Sequence, residues 1–265
     1  MPRRTRLDAE LVRRGLARSR EHASQLIADG RVTVRGTVAG KAATAVETDA
    51  PVVVRERAGD DWASRGAHKL IGALDAFDID VTGRRVLDAG ASTGGFTDVL
   101  LRRGAREVVA ADVGRGLLVW RLQTDDRVLV LDRTNVRALT PEQTQGPVDL
   151  VVADLSFISL RLVLPALLAC ATADADLVPM VKPQFEVGKE RLGSGGVVRD
   201  PELRAAAIRS VIMEAAGLGL RVHGVTASPL PGPSGNVEYF VWLRRGEPGA
   251  DVDALVETAV LEGPR

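Results

Sequence analysis

Four ionisable residues stand at positions where folding could bring them into one cleft. Asp154 and Lys182 each follow an apolar run, so both belong to the carboxyl ends of predicted strands. Glu238 begins a late predicted strand, and Lys69 lies on a predicted helix that precedes the sheet. Because strands of an α/β sheet present their carboxyl ends at a common edge, residues far apart in sequence can meet there.

Two lysines beside two carboxylates permit proton abstraction from a poor nucleophile such as a ribose hydroxyl. A lysine acts as a base near neutral pH only when its pKa falls from the usual ~10.4. Burial and a second ammonium lower a lysine pKa, while a carboxylate raises it. We therefore predict that Lys182 is the base and that Lys69, Asp154 and Glu238 orient it and the hydroxyl. For any one of these residues alone, a surface ion pair is the simpler interpretation.

A glycine-rich stretch lies between a predicted buried strand and a predicted helix. Residues 88–96 read Asp-Ala-Gly-Ala-Ser-Thr-Gly-Gly-Phe. Glycines allow the backbone to approach a ligand closely, and a helix N-terminus directs unpaired N–H groups at the same point. The spacing is not G-x-G-x-x-G, which disfavours an NAD or FAD site. The alternative is a plain glycine-rich turn.

Acidic residues accompany this stretch. Asp88 precedes the glycines and Asp112 ends the next predicted strand. The pair resembles the S-adenosylmethionine (SAM) loop of Rossmann-like methyltransferases. That resemblance implies cofactor contacts from Asp88, Gly90, Ser92, Gly94, Gly95, Phe96, Asp112 and Asp132. Asp132 ends a further strand where such enzymes contact the adenine amino group, although turns favour aspartate in any case.

The apolar pattern predicts the elements that would bring these side chains together. With 265 residues and 45% apolar composition, the chain can bury the core of one sizeable domain and a small one. Predicted strands lie at 85–89, 107–111, 127–131, 148–154, 176–182, 221–226 and 238–243. Helical segments separate most of the first five, so we predict an α/β, Rossmann-like sheet of seven strands with one antiparallel member at its edge.

Charge is unevenly distributed along the chain. Lysine and arginine total 35, as do aspartate and glutamate, yet residues 1–41 hold 10 basic against 4 acidic side chains. The remainder therefore holds 25 against 31, an excess of 6 negative charges. A basic N-terminal region on an acidic body predicts an anionic partner that binds through one end.

The basic region resembles the S4 RNA-binding fold. It comprises two short predicted helices, a glycine and a small hairpin. The matching residues are Arg6-Leu-Asp8, Gly15-Leu16, Ser19-Arg20, Ala23, Ile27, Gly30, Val32-Thr-Val34, Gly36 and Lys41. The resemblance implies RNA contacts from Arg6, Arg14, Arg18, Arg20 and Lys41. The alternative is a generic helical hairpin with a solvated, charged face.

A family resemblance covers residues 3–243. Lys69, Asp154, Lys182 and Glu238 follow the K-D-K-E order of FtsJ-type ribose 2′-O-methyltransferases. Together with the S4 pattern, the chain resembles the TlyA (haemolysin A) family of rRNA 2′-O-methyltransferases. This implies a class I methyltransferase sheet at 64–265, an α+β RNA-binding domain at 1–58 and a linker at 59–63. It also implies SAM-dependent 2′-O-methylation, of cytidine, in the 16S and 23S rRNA of ribosomal subunits.

Two other functions compete with this interpretation. A non-catalytic S4-type RNA-binding protein would need neither the glycine loop nor the four charged residues. A membrane-active haemolysin would need a membrane-inserting segment, yet no run of ~18 uncharged apolar residues occurs. No secretory signal is recognisable, and the single cysteine, Cys170, permits no disulfide framework, so we expect a soluble, cytoplasmic protein. The three histidines lie apart, and we expect no metal site.

Overall fold

The computed structural model describes residues 4–17, 19–28, 30–54, 62–232, 234–246 and 251–264. The chain forms two compact units, Met1–Asp61 and Trp62–Arg265. Most of the predicted linker at 59–63 lies outside the described residues. Within the described ranges, no helix has both the length and the apolar character needed to cross a membrane.

The first unit is a small α+β fold. Its elements are β1 Arg4–Arg6, α1 Leu7–Arg13, α2 Arg20–Ala28, β2 Val32–Val34, β3 Thr37–Val38, β4 Ala45–Glu47 and β5 Val52–Val54. β1 pairs with β4, and β2 lies between β3 and β5, all antiparallel. Leu7 and Leu11 are fully buried because residues four apart share one helical face, and they pack with Ile27 and Val32.

The second unit alternates strands and helices. Its strands are β6 Arg85–Ala89, β7 Glu107–Ala111, β8 Val128–Leu131, β9 Val148–Ala153, β10 Ala171–Val181, β11 Leu220–Ala227 and β12 Tyr239–Arg245. Its α-helices are α3 Gly66–Phe77, α4 Gly95–Arg102, α5 Trp120–Gln123, α6 Leu164–Ala169, α7 Pro183–Glu186, α8 Pro201–Gly217 and α9 Val252–Glu262. Short 3₁₀ turns lie at Val136–Ala138, Leu160–Leu162, Lys189–Arg191 and Ser194–Gly196.

All seven strands form one sheet in the order β11-β12-β10-β9-β6-β7-β8. β12 is antiparallel to both of its neighbours, whereas β10, β9, β6, β7 and β8 are mutually parallel. The seven-stranded prediction is confirmed, but the antiparallel strand is not at the edge as predicted. After β10 the chain passes through α8 and returns as β11, which runs parallel to β10 but leaves room for one strand between them. β12 occupies that position.

The central strands are buried on both faces. Leu87, Val109 and Val151 pack on one side with α6, α8 and α9, whereas their neighbours in sequence pack on the other side with α3 and α4. Alternation of side chains between the two faces of a strand explains this division. The resulting three layers leave the carboxyl ends of β6, β9 and β10 together at one open edge.

Candidate active site

A cavity of about 280 Å³ opens at that edge of the sheet. It is lined by the glycine-rich loop after β6, by the start of α3, and by Lys69, Asp154, Ser156 and Lys182. Three of the four residues that we predicted to be catalytic therefore line one cavity. Glu238, the fourth, is completely buried behind it.

Four charged side chains converge here in two ion pairs. Lys69 Nζ donates to Glu238 Oε2 at 2.5 Å. Lys182 Nζ lies 2.6 Å from Asp154 Oδ1 and 3.9 Å from Glu238 Oε1. Two cations thus face two anions, which offsets the free-energy cost of removing charges from water. Glu238 Oε1 has no hydrogen-bond partner among the described residues, so an acceptor remains available at the centre of the site.

Backbone hydrogen bonds place the acidic members of this group. Asp154 N donates to Ala89 O at 3.0 Å, which extends the β6–β9 pairing by one residue. Ser228 N donates to Glu238 O at 2.8 Å and similarly extends the β11–β12 pairing. Both carboxylates are therefore fixed by the sheet. Lys182 directly follows β10 in extended conformation, and α7 begins immediately after it with Pro183.

Sequence reasoning missed one member of the site. Lys182 Nζ donates a hydrogen bond to Ser156 Oγ at 3.1 Å. Ser156 is exposed and lines the same cavity. The available signal was its place two residues after Asp154, on the loop that leaves the carboxyl end of β9.

The glycines of this loop are required by close packing against neighbouring protein atoms, in addition to any contact with a ligand. Gly90 and Gly94 have φ of +89° and +97°, a region that side chains other than glycine disfavour. A Cβ at Gly90 would lie 2.5 Å from Asp154 O, and a Cβ at Gly94 would clash with the Leu122 side chain. The glycines thus allow close contact between the loop, β9 and α5.

Asp88 lies at the end of β6 and is completely buried. Its Oδ2 accepts a hydrogen bond from Thr97 Oγ1 at 2.6 Å, while Oδ1 has no partner among the described residues. Burial raises the Asp88 pKa to about 7, and the nearby Asp154 charge adds to the rise. The unsatisfied acceptor Asp88 Oδ1, at the start of the glycine loop, suits a cationic ligand, so the residues present fit SAM, which carries an ammonium and a sulfonium.

The remaining predicted cofactor residues differ in placement. Asp112 accepts from Ser92 N at 2.9 Å and from Gly114 N at 2.7 Å, so it joins two loops. Asp132 accepts from Gly116 N at 2.9 Å. Ser92, Gly95 and Phe96 line the cavity, whereas Asp112 and Asp132 do not. Each aspartate keeps lone pairs beyond these bonds, so the backbone N–H groups orient the carboxylate without exhausting its capacity to accept from a ligand.

The first unit holds the residues predicted to contact RNA. Arg6 and Arg20 both bind Asp8, and these contacts, that of Arg6 foremost, hold the Asp8 pKa well below its usual range. Lys41 is exposed. Arg18 lies outside the described residues.

Arg14, which is also predicted to contact RNA, makes hydrogen bonds inside the first unit. Its guanidinium donates to Ala50 O at 2.8 Å, to Thr48 O at 2.9 Å and to Glu10 Oε1 at 2.6 Å. Three of its five N–H donors are used inside the unit, which gives Arg14 a structural role, and a phosphate contact through the other two stays a prediction.

Comparisons with known proteins bear on this geometry. Residues 62–245 match the FtsJ-like methyltransferase family, and residues 5–52 match the S4 domain. Over 100% of both chains, the sequence is 61% identical to the 16S/23S rRNA (cytidine-2′-O)-methyltransferase TlyA of Mycobacterium tuberculosis. The chain belongs to the TlyA family of FtsJ-like methyltransferases.

Other TlyA relatives are similar over most of their length. Hemolysin A of Brachyspira hyodysenteriae is 36% identical over 89% of this chain and 98% of that one. A solved structure of a Streptococcus thermophilus protein superposes with a TM-score of 0.76 at 35% identity, covering 99% of this chain and 97% of that chain. The family and the methyltransferase and S4 folds predicted from the sequence are therefore confirmed.

Proposed function

We propose that this chain transfers a methyl group from SAM to the ribose 2′-hydroxyl of cytidines in 16S and 23S rRNA. The observation that carries the proposal is the convergence of Lys69, Asp154, Lys182 and Glu238 beside the glycine loop. A protein that only bound RNA would not need one buried and one partly buried ion pair at the open edge of a methyltransferase sheet. The identity and name of the M. tuberculosis relative support the choice of substrate.

SAM would be held by the glycine loop and by Asp88, Asp112 and Asp132, and when bound it supplies an electrophilic methyl group on its sulfonium. Glu238 Oε1, the unpaired buried acceptor, is available to orient the attacking hydroxyl. Lys69 holds Glu238 in place and compensates its charge.

Lys182, as a neutral amine, would accept the hydroxyl proton while the oxygen–carbon bond forms and the methyl carbon–sulfur bond breaks, which leaves a neutral thioether. Its Nζ lies at the cavity surface beside Asp154. The proton is then on Lys182, and the positive charge is stabilised by the neighbouring carboxylate.

The two units would have separate functions, RNA binding and methyl transfer. We propose that residues 1–58 provide affinity for rRNA through phosphate contacts of Arg6, Arg18, Arg20 and Lys41, and that residues 64–265 carry out the transfer. The partner would be rRNA within ribosomal subunits, which places the enzyme in the cytoplasm.

The test is methyl transfer from labelled SAM to ribosomal subunits and to naked rRNA, with mass spectrometry to locate the modified nucleotide. We expect a 2′-O-methyl group on cytidine with wild-type protein and none with Lys182→Ala. Modification of a base, or equal transfer by Lys182→Ala, would contradict the proposal. Leakage from liposomes treated with pure protein, without any transfer, would instead favour a membrane-active haemolysin.

A further inference from the structure

The Lys182 ammonium has neighbours of two kinds. Asp154 Oδ1 at 2.6 Å and Glu238 Oε1 at 3.9 Å are anionic and attract it by charge. Ser156 Oγ accepts an aligned hydrogen bond from Nζ at 3.1 Å. Charge attraction depends mainly on distance, whereas a hydrogen bond weakens steeply when misaligned. Among the described residues, Asp154 and Ser156 are therefore the two closest groups that restrict the direction of Lys182 Nζ, and Ser156 is the neutral one.

Direction matters because a neutral amine has a single lone pair. The other three positions around its tetrahedral nitrogen are Cε and two N–H groups. A base must direct its lone pair at the proton that it removes. A hydroxyl oxygen accepts from an ammonium and, more weakly, from a neutral amine, so the bond from Lys182 to Ser156 is available in both states.

The loop that carries Ser156 is held at both ends. Asp154 N at its start is bonded to Ala89 O. At its end, Glu186 accepts from Leu160 N at 2.8 Å and from Ser159 Oγ at 2.5 Å. Glu186 is itself buried, on the helix that directly follows Lys182. The same short segment therefore positions both the amine and its hydroxyl partner.

We propose that Ser156 is a positioning residue for the transfer: its hydroxyl holds Lys182 Nζ so that the lone pair faces the cavity. This inference rests on the proposed function. The substrate proton passes to Lys182, and Ser156 keeps its own proton throughout.

A first test measures the titration of the Lys182 amine by NMR and does not depend on activity. The chain has four lysines, Lys41, Lys69, Lys182 and Lys189, so protein labelled with ¹³C at lysine Cε gives few NMR signals, and Lys182→Arg assigns the relevant one. In Ser156→Ala the charged amine loses an acceptor, so we expect its titration midpoint to move to lower pH. Ser156→Thr should titrate like wild type. Equal midpoints in the wild-type and alanine proteins would overturn the proposal.

A second test measures the rate of methyl transfer. Ser156→Ala should lower kcat by ~10-fold or more, which is part of the rate enhancement that a well-positioned general base provides. The Kd for SAM and the Tm should stay unchanged. Ser156→Thr should stay within ~3-fold of wild type, and Ser210→Ala on α8 is the matched control. An unchanged kcat in Ser156→Ala, or a threonine variant as inactive as alanine, would overturn the role of Ser156. Wild-type protein that transfers nothing to rRNA would overturn the proposed function, and the NMR arm would still decide whether Ser156 controls Lys182.

Discussion

Lys69 Nζ and Glu238 Oε2 lie 2.5 Å apart although 169 residues separate them in the chain. The pair joins the helix that precedes the sheet to the start of its last strand. Both side chains are buried, Lys69 with 4% and Glu238 with 0% of its surface exposed. Breaking such a pair leaves one buried charge uncompensated.

Glu238→Gln should therefore destabilise the fold as well as stop the reaction. Leaving Lys69 buried without its counter-charge should lower the free energy of unfolding by about 3–5 kcal/mol. The double variant Lys69→Met, Glu238→Gln removes both charges and should recover much of that loss, yet stay inactive. Urea unfolding and methyl transfer measured on the same samples separate the two effects. A Glu238→Gln protein as stable as wild type would count against the pair's structural role.

Lys182→Ala should reduce transfer by about 10²–10⁴-fold, the usual contribution of a general base, with little change in SAM affinity by calorimetry. Lys182→Arg keeps a positive charge but cannot become neutral near pH 7, so we expect it to be equally inactive. In wild type, kcat should rise with pH until the base is neutral. An active Lys182→Arg enzyme would move the base to Asp154 and leave Lys182 only an electrostatic role.

Asp88 should make stability fall as pH rises. Its pKa is about 7 in the folded protein because of burial, whereas an unfolded aspartate titrates near ~3.9. Between these values the unfolded chain has released the proton that the folded chain keeps, so each pH unit costs about 1.4 kcal/mol. Relative to wild type, Asp88→Asn should gain stability from pH 4 to pH 7. Urea unfolding across that range checks the slope, and parallel curves for the two proteins would refute it.

Arg20→Gln with Lys41→Gln should weaken rRNA binding and flatten its salt dependence. Each lost phosphate contact lowers the slope of log K against log salt by about 0.7–0.9. Arg6 remains to compensate Asp8, so the unit should stay folded. Arg14→Gln should instead lower the thermal stability of the first unit, because three internal hydrogen bonds are lost. Filter binding at several salt concentrations and circular dichroism distinguish these outcomes.

Asn236 should hold the segment before α8 against the loop that leads to Glu238. It is buried, accepts from Val198 N at 2.9 Å and donates to Gly196 O at 3.0 Å. Asn236→Asp keeps the first bond and places an oxygen against Gly196 O. We expect faster tryptic cleavage after Arg199, with Asn135→Asp as the matched control. Equal cleavage rates would show that the amide does not restrain the segment.

The apolar pattern predicted the sheet well because parallel strands are buried on both faces. The strands predicted at 85–89 and 107–111 coincide with Arg85–Ala89 and Glu107–Ala111. β10 begins at Ala171, five residues before the predicted start. Its first residues are polar or small, so the apolar pattern did not reveal them as part of a strand. The position of β12 could not be predicted, since strand order depends on which gap a crossover leaves.

Side-chain partners were harder to predict than side-chain positions. The order of Lys69, Asp154, Lys182 and Glu238 indicated a common site, and the structure brings all four together. Nothing in the local sequence distinguishes Arg14, which makes three hydrogen bonds inside the unit, from Arg20. Likewise, the contact between Ser156 and Lys182 depends on the path of the loop after β9, which the local sequence does not reveal.

The placement of β12 between β10 and β11 has a consequence for biosynthesis. Chains are made from the N-terminus, so the S4 unit and six strands of the sheet emerge before Glu238. Lys69 has no buried counter-charge until the last strand pairs with β10 and β11. Completion of the catalytic site therefore coincides with completion of the fold, and a growing chain can contact RNA before it is able to modify it.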